Sequence, residues 1–142
     1  MSSLEAPAFL DTSYVVRYLT DDPPDMAAQA ARVIDGDETL ILSEIVILES
    51  AYVLASRYQM PRSAIVDGLT ELLQKRNISL PVLPKPRVLT ALDMCRRSKR
   101  YSFTDVLLWA EALEAGAGRR VFTFDRRFPS EGITTVGSWT PA

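Results

Sequence analysis

The chain contains no histidine and a single cysteine, Cys95, and these two shortages exclude more chemistry than any one motif establishes. Without histidine there is no serine or cysteine nucleophile driven by an imidazole base. The usual cysteine and histidine zinc sites are excluded as well, and one cysteine cannot close an internal disulfide. Any hydrolytic chemistry must come from carboxylates, lysine, hydroxyls or a hard metal ion. Long apolar runs are also missing, since no stretch approaches the ~20 residues a membrane helix needs. The opening "MSSLEAPAFLDTS" has no basic region followed by an apolar core, so a cytoplasmic protein is expected. Charge of one sign is scarce too. A formal net charge of -2 neither demands nor forbids a nucleic-acid partner.

What is present fits one globular domain spanning residues 1–142, with 47% hydrophobic residues to close its core. "AFL" after Pro7 reads as a short strand ending at Asp11. "SYVVRYL" follows as a helical turn or two, with Thr12 or Ser13 as its cap. Beyond "DDPPD" lies an alanine-rich helix, "MAAQAARVID", then a turn at Gly36 and Asp37 and a second strand, "TLIL". Ser43 caps a third helix carrying Glu49. Ile65, Leu69, Leu72 and Leu73 recur at helical spacing between Arg62 and Lys75. "ISLPVL" reads as an edge strand because Pro81 cannot donate to a ladder. Two further helices, one beginning near Pro86 and one running through "SFTDVLLWAEALEAG" to Gly116, precede the strands "RVFTF" and "GITTV". Alternating strands and helices predict a three-layer α/β/α sandwich around a mostly parallel sheet. "NIS" at Asn77 matches a glycosylation acceptor, which carries no weight in a cytoplasmic protein.

Four acids then stand out. Asp11 and Asp125 each follow a predicted strand, and in open α/β sheets ligands bind in the crevice outside those carboxyl ends. Helix capping explains Asp11 equally well at this level, and a turn before "RRFP" explains Asp125. Asp105 has the form of a capping-box acid after Ser102, and an acid in a first turn gains from the helix dipole. Glu49 is harder to explain structurally. Its helical neighbours Ile45, Val46, Tyr52 and Val53 are largely apolar, and a lone carboxylate buried among them needs a partner. It also lies six residues beyond Ser43, about 9 Å along a helix leading away from the strand ends. If the four converge, their repulsion favours bound cations, and oxygen-only ligands suit Mg²⁺ or Mn²⁺. Such ions bind phosphates and assist phosphodiester hydrolysis. Basic groups at Arg96, Arg97, Lys99 and Arg100, at Arg119 and Arg120, and at Arg126 and Arg127 are candidates for contacts to a phosphate backbone.

With these residues in view, the chain resembles the PIN domain family, and within it the VapC-like toxins of toxin–antitoxin systems. "FLDTSYVVRYL" looks like the family's opening, "LSEIVILESAYVL" like its second motif, "YSFTDVLLWAEAL" like its third and "VFTFDRRF" like its fourth. The order places Asp11, Glu49, Asp105 and Asp125 at the family's four acids. One departure is Ser102, where many relatives carry an additional acid. The resemblance implies a homodimeric, Mg²⁺- or Mn²⁺-dependent endoribonuclease held inactive by a cognate antitoxin. Its products would be a 5′-phosphate and a 3′-hydroxyl, with Thr12, Ser13 and Thr123 orienting carboxylates or water. A non-catalytic RNA-binding or interaction module on the same fold is the alternative. A signalling receiver domain is a weaker one, because Lys85 has no aspartate suitably placed to accept a phosphoryl group. Cys95 is expected to be a small buried apolar residue.

Overall fold

The computed structural model describes residues 6–137. Its sheet has five parallel strands in the order β3-β2-β1-β4-β5: β1 (Ala8–Leu10), β2 (Leu40–Ile41), β3 (Ile78–Ser79), β4 (Arg120–Phe122) and β5 (Thr134–Val136). Parallel neighbours require crossovers, and six helices supply cover for the sheet. These are α1 (Thr12–Thr20), α2 (Pro24–Ile34), α3 (Glu44–Ser56), α4 (Arg62–Leu73), α5 (Lys85–Arg97) and α6 (Phe103–Ala115). None is long and apolar enough to cross a membrane. The expected three-layer α/β/α architecture is therefore what forms, with every described strand pair parallel.

Register assigns the two faces. Phe9 pairs with Ile41 on one side and Val121 on the other, so their side chains share a face, while Leu10 and Phe122 share the opposite one. Phe9 and Ile41 meet Glu111 and Ala115 of α6 around one cavity. On the other face Tyr14 of α1 sets its ring 5.6 Å from Phe122. Phe9, Leu10, Val121 and Phe122 are all buried, as expected for strands covered on both sides.

Central to the site is the adjacency of β1 and β4, which puts the two strand ends side by side. The Asp11 N–H donates to Phe122 O at 2.8 Å, extending that pairing one residue past β1. Several expectations shift. Asp11, rather than Thr12 or Ser13, caps α1, because its carboxylate accepts the Thr12 N–H. Ser43 caps α3 and Ser102 caps α6 as read from the sequence. Strand β3 is an edge strand but stops at Ser79, and Leu80 and Val82 beyond it are exposed. Lys85 opens α5 instead of ending a strand, which removes the receiver-domain reading.

Asn77 has a structural use. Its side-chain amide donates to the carbonyls of Ile34 (3.1 Å), Glu38 (3.0 Å) and Gly36 (3.4 Å), tying the turn before β2 to the start of β3. Asn77→Ala leaves those carbonyls short of donors and is expected to destabilise the fold by about 1–3 kcal/mol, measured by urea unfolding. A change within a few tenths of a kcal/mol would show that water replaces the amide at no cost.

Candidate active site

A cleft of about 490 Å³ opens at the carboxyl ends of β1 and β4 and is lined by Asp11, Glu49, Asp105 and Asp125 together. Each acid arrives from a different element. Asp11 is fixed by the turn into α1, Glu49 by the middle of α3, Asp105 by the first turn of α6 and Asp125 by the turn after β4. The distance problem posed by Glu49 is solved by packing, since α3 lies against α1 and brings Glu49 to the first turn of that helix.

Glu49 is nevertheless not a carboxylate enclosed by apolar side chains, as its helical spacing suggests. Glu49 is only half-buried, and Tyr52, counted among its apolar surroundings, is 72% exposed. Helix α3 buries Val46, Ser50 and Leu54 and leaves Glu49 on the flank that faces the cleft. Its partner is a hydroxyl rather than a cation: Thr12 Oγ1 donates to Glu49 Oε1 at 2.5 Å.

The other two candidate hydroxyls also bind acids or their backbone. Thr123 Oγ1 donates to Asp11 Oδ2 at 2.5 Å and accepts the Asp125 N–H at 3.0 Å. Ser13 Oγ donates to Asp11 Oδ2 at 3.3 Å and accepts the Phe124 N–H at 3.0 Å. The tripeptide Asp11-Thr12-Ser13 thus links three of the four acidic segments. Asp125 lines the cleft while its Oδ1 accepts the Arg127 N–H at 2.8 Å, so a residue that closes its turn also faces the other three acids. Ser102, where an extra acid is common, accepts the Asp105 N–H at 3.0 Å and caps α6.

Electrostatics follow from burial. Asp11, 4% exposed, has its pKa pushed up to about 6, mainly because it is desolvated and partly because Glu49 repels it. Hydrogen bonds from Thr123, Thr12 and Ser13 pull the other way. Asp105 is pushed up to about 7, first by desolvation and then by the charges of Asp11, Asp125 and Glu49. Three acids acting on the fourth is the signature of a site that retains protons or gathers cations.

No three of the described Asp, Glu or Cys side chains stand close enough to enclose an ion by themselves. That is compatible with Mg²⁺, which holds its waters tightly and binds through one or two carboxylates and the substrate's phosphates. The donor chemistry fits: every acid offers hard oxygen, and Asp11 retains lone pairs beyond the three hydrogen bonds it accepts.

The basic clusters fare differently. Arg96, Arg97, Lys99, Arg100, Arg126 and Arg127 are exposed, and none lines the cleft. Arg119 is occupied with the carbonyls of Pro7 (2.9 Å) and Ala115 (2.8 Å), and Arg120 pairs with Glu38. The cations that do line the cleft are Arg17 and Arg57, which attracted no attention in the sequence. The available signal was helical spacing, Ser13 to Arg17 on α1 and Glu49 to Val53 to Arg57 along α3. Cys95 is half-buried and packs against the core.

Comparison with known proteins fits this geometry. The family model for the PIN domain matches residues 8–130, and the chain belongs to that family. By structure it is similar to Mycobacterium tuberculosis VapC20, described as a sarcin-ricin loop cleaving toxin: TM-score 0.71, 20% identity, 88% of this chain and 95% of that one covered. VapBC2 from Rickettsia felis, solved bound to a DNA fragment from its promoter, gives a TM-score of 0.66 at 14% identity, with 93% and 98% covered. FitAB bound to an IR36 DNA fragment gives 0.66 at 16% identity, with 95% and 97% covered. No curated protein matches the chain by sequence.

Proposed function

We propose that the protein is a Mg²⁺- or Mn²⁺-dependent endoribonuclease, the toxin of a toxin–antitoxin pair. The observation that carries the reading is the meeting of Asp11, Glu49, Asp105 and Asp125 in one cleft at the strand ends. Asp11, Glu49, Asp105 and Asp125 would hold the cation or its waters, since all four offer hard oxygen to the same cleft. Once bound, the cation supplies Lewis-acid polarisation of the phosphoryl oxygen and offsets the charge that builds there.

The chain's own groups do the rest. Thr12 engages one oxygen of Glu49, leaving Oε2 to accept a proton from the attacking water. Water oxygen bonds to phosphorus, the bond to O3′ breaks as O3′ takes a proton from solvent, and the products are a 5′-phosphate and a 3′-hydroxyl. Thr123 and Ser13 fix the Asp11 carboxylate and join it to the turn carrying Asp125. The exposed Arg126 and the cluster from Arg96 to Arg100 contact the RNA backbone away from the cleft.

The partners follow from the same reading. A cognate antitoxin covers the acidic cleft in the cytoplasm, and a second copy of the chain completes a homodimer. Exposed Leu89, Leu92 and Phe103 on α5 and α6 are among the apolar side chains that such a contact could cover.

The test is cleavage of end-labelled RNA by the purified protein in Mg²⁺ and again in excess chelator, with the product ends identified. Metal-dependent cleavage leaving 5′-phosphates is expected. Cleavage that persists in chelator, or products ending in cyclic phosphates, would refute the mechanism.

The hydrogen bond to Glu49 gives a narrower test. Thr12→Val preserves shape but removes the hydroxyl, and a drop in cleavage of about 10–100-fold is expected. Thr12→Ser restores most of it. Equal activity in the valine and serine variants would show that the hydroxyl does not position Glu49.

A further inference from the structure

The walls of the cleft carry information about which RNA enters it. Tyr52 is 72% exposed although it follows Glu49 by one helical turn and lines the same cleft. An aromatic ring left largely in water beside an acidic centre adds little to the core of the fold. At the C-terminal end of α3, two turns beyond Glu49, Arg57 lines the cleft as well, exposed and with no carboxylate in pairing distance among the described residues. Across the cleft Arg17 is half-buried, its guanidinium 5.7 Å from the Phe124 ring centroid, its Nε directed at Met26 Sδ, and likewise without a carboxylate partner. Two uncompensated cations beside four acids favour a polyanion that runs past the acids, since a cation alone would gain nothing from them.

Spacing along α3 gives the order. Arg57, the C-cap residue of α3, lies eight positions beyond Glu49, about 12 Å along the helix axis, and Tyr52 falls between them along that axis. A base can lie on Tyr52 only if it is unpaired, because a base inside a duplex has both faces covered by its neighbours. Resting on the nuclease reading above, we infer that Tyr52 is a stacking platform for one unpaired base next to the scissile phosphate, with Arg57 and Arg17 holding phosphates on either side. The substrate class is then single-stranded or looped RNA, and duplex RNA is excluded from the cleft by the same ring.

The experiment measures binding with cleavage silenced. In an Asp105→Asn background with Mg²⁺ present, fluorescence anisotropy follows a labelled, randomised single-stranded oligoribonucleotide and a perfect RNA duplex of equal length. Tyr52→Ala is expected to weaken single-strand binding by about 5- to 100-fold. It should leave the weak duplex binding unchanged, and Tyr52→Phe should bind as the parent does. Arg57→Ala is expected to lower the salt dependence of single-strand binding by about 0.7 in log–log slope, one phosphate contact. Because Tyr52 is exposed, the variants should melt with the parent, and that is checked first.

Equal loss of duplex and single-strand binding in Tyr52→Ala would overturn the stacking role, as would no loss at all. So would a fall in oligomeric mass in that variant, which would make Tyr52 a contact between copies of the chain. Tyr52→Ala that keeps RNA affinity but loses a co-purified antitoxin would assign the ring to the protein partner instead. Failure of the underlying reading looks different: the protein with all four acids intact would then neither bind nor cut any RNA.

Discussion

Asp105→Asn is expected to lower RNA cleavage by a factor on the order of 10²–10³ or more, while making the metal-free protein more stable at pH 8. Both effects have one cause. The ionised Asp105 is disfavoured first by its burial and then by the repulsion of Asp11, Asp125 and Glu49, and a proton or a cation relieves both. Asparagine keeps the shape and removes the charge, so the fold relaxes as the cation site weakens. A loss of that size matches removal of one preorganised electrostatic group from a transition state. Asp105 is the better site for this substitution than Asp11. Asp11 accepts hydrogen bonds from Thr12, Ser13 and Thr123, and an amide there would turn a donor toward a donor. Cleavage rates and urea unfolding in chelator measure the two effects. An inactive variant that is less stable than the parent would point to damaged structure instead of relieved repulsion.

The second large effect is the pH dependence of that stability difference. An unfolded aspartate titrates near 3.9, whereas the folded protein holds Asp11 to about 6 and Asp105 to about 7. Between those values the folded state binds more protons than the unfolded one, so the slope of unfolding free energy against pH is negative. The contribution is fully present below about pH 4 and is lost as pH rises through 6 and 7. For the two groups together it amounts to a few kcal/mol at most, since Asp105 keeps some contact with solvent. Asp35 works in the opposite direction. Its hydrogen bond from Lys75 lowers its pKa, and that stabilisation is lost as pH falls. Subtracting the melting curve of Asp105→Asn from that of the parent isolates the cleft. The two are expected to melt together near pH 4 and to separate by several degrees by pH 8, the variant higher. Adding Mg²⁺ should close the gap by stabilising the parent. A gap that is constant across pH would mean that Asp105 is not held protonated.

The elements that locate the site were legible because they obey local rules. Strands end where Asp11 and the segment leading to Asp125 begin, helices start at Ser43 and Ser102, and an alternating order implies a parallel sheet. Glu49 shows where local rules run out. Helical spacing names its neighbours but not which side of α3 packs, and α3 is apolar nearly all round, so periodicity assigns no face. Glu49 does line the cleft, but as a half-buried side chain on its wall and not as one enclosed among apolar neighbours. The same limit hid Tyr52, which reads as core and stands in solvent. Contacts between Thr12 and Glu49, or Thr123 and Asp11, join residues 37 and 112 positions apart and have no sequence signature. Among the basic residues, clustering did not point to the cleft. The dense run from Arg96 to Arg100 lies away from the acids, while isolated Arg17 and Arg57 line their cleft.

Calorimetric titration of the metal-free protein with Mn²⁺ at pH 8, beside the same titration of Asp105→Asn, tests most directly whether the four carboxylates form a cation site. Saturable binding is expected for the parent, and strongly weakened binding for the variant. Identical isotherms, or no binding by a parent protein that still cleaves RNA, would contradict it.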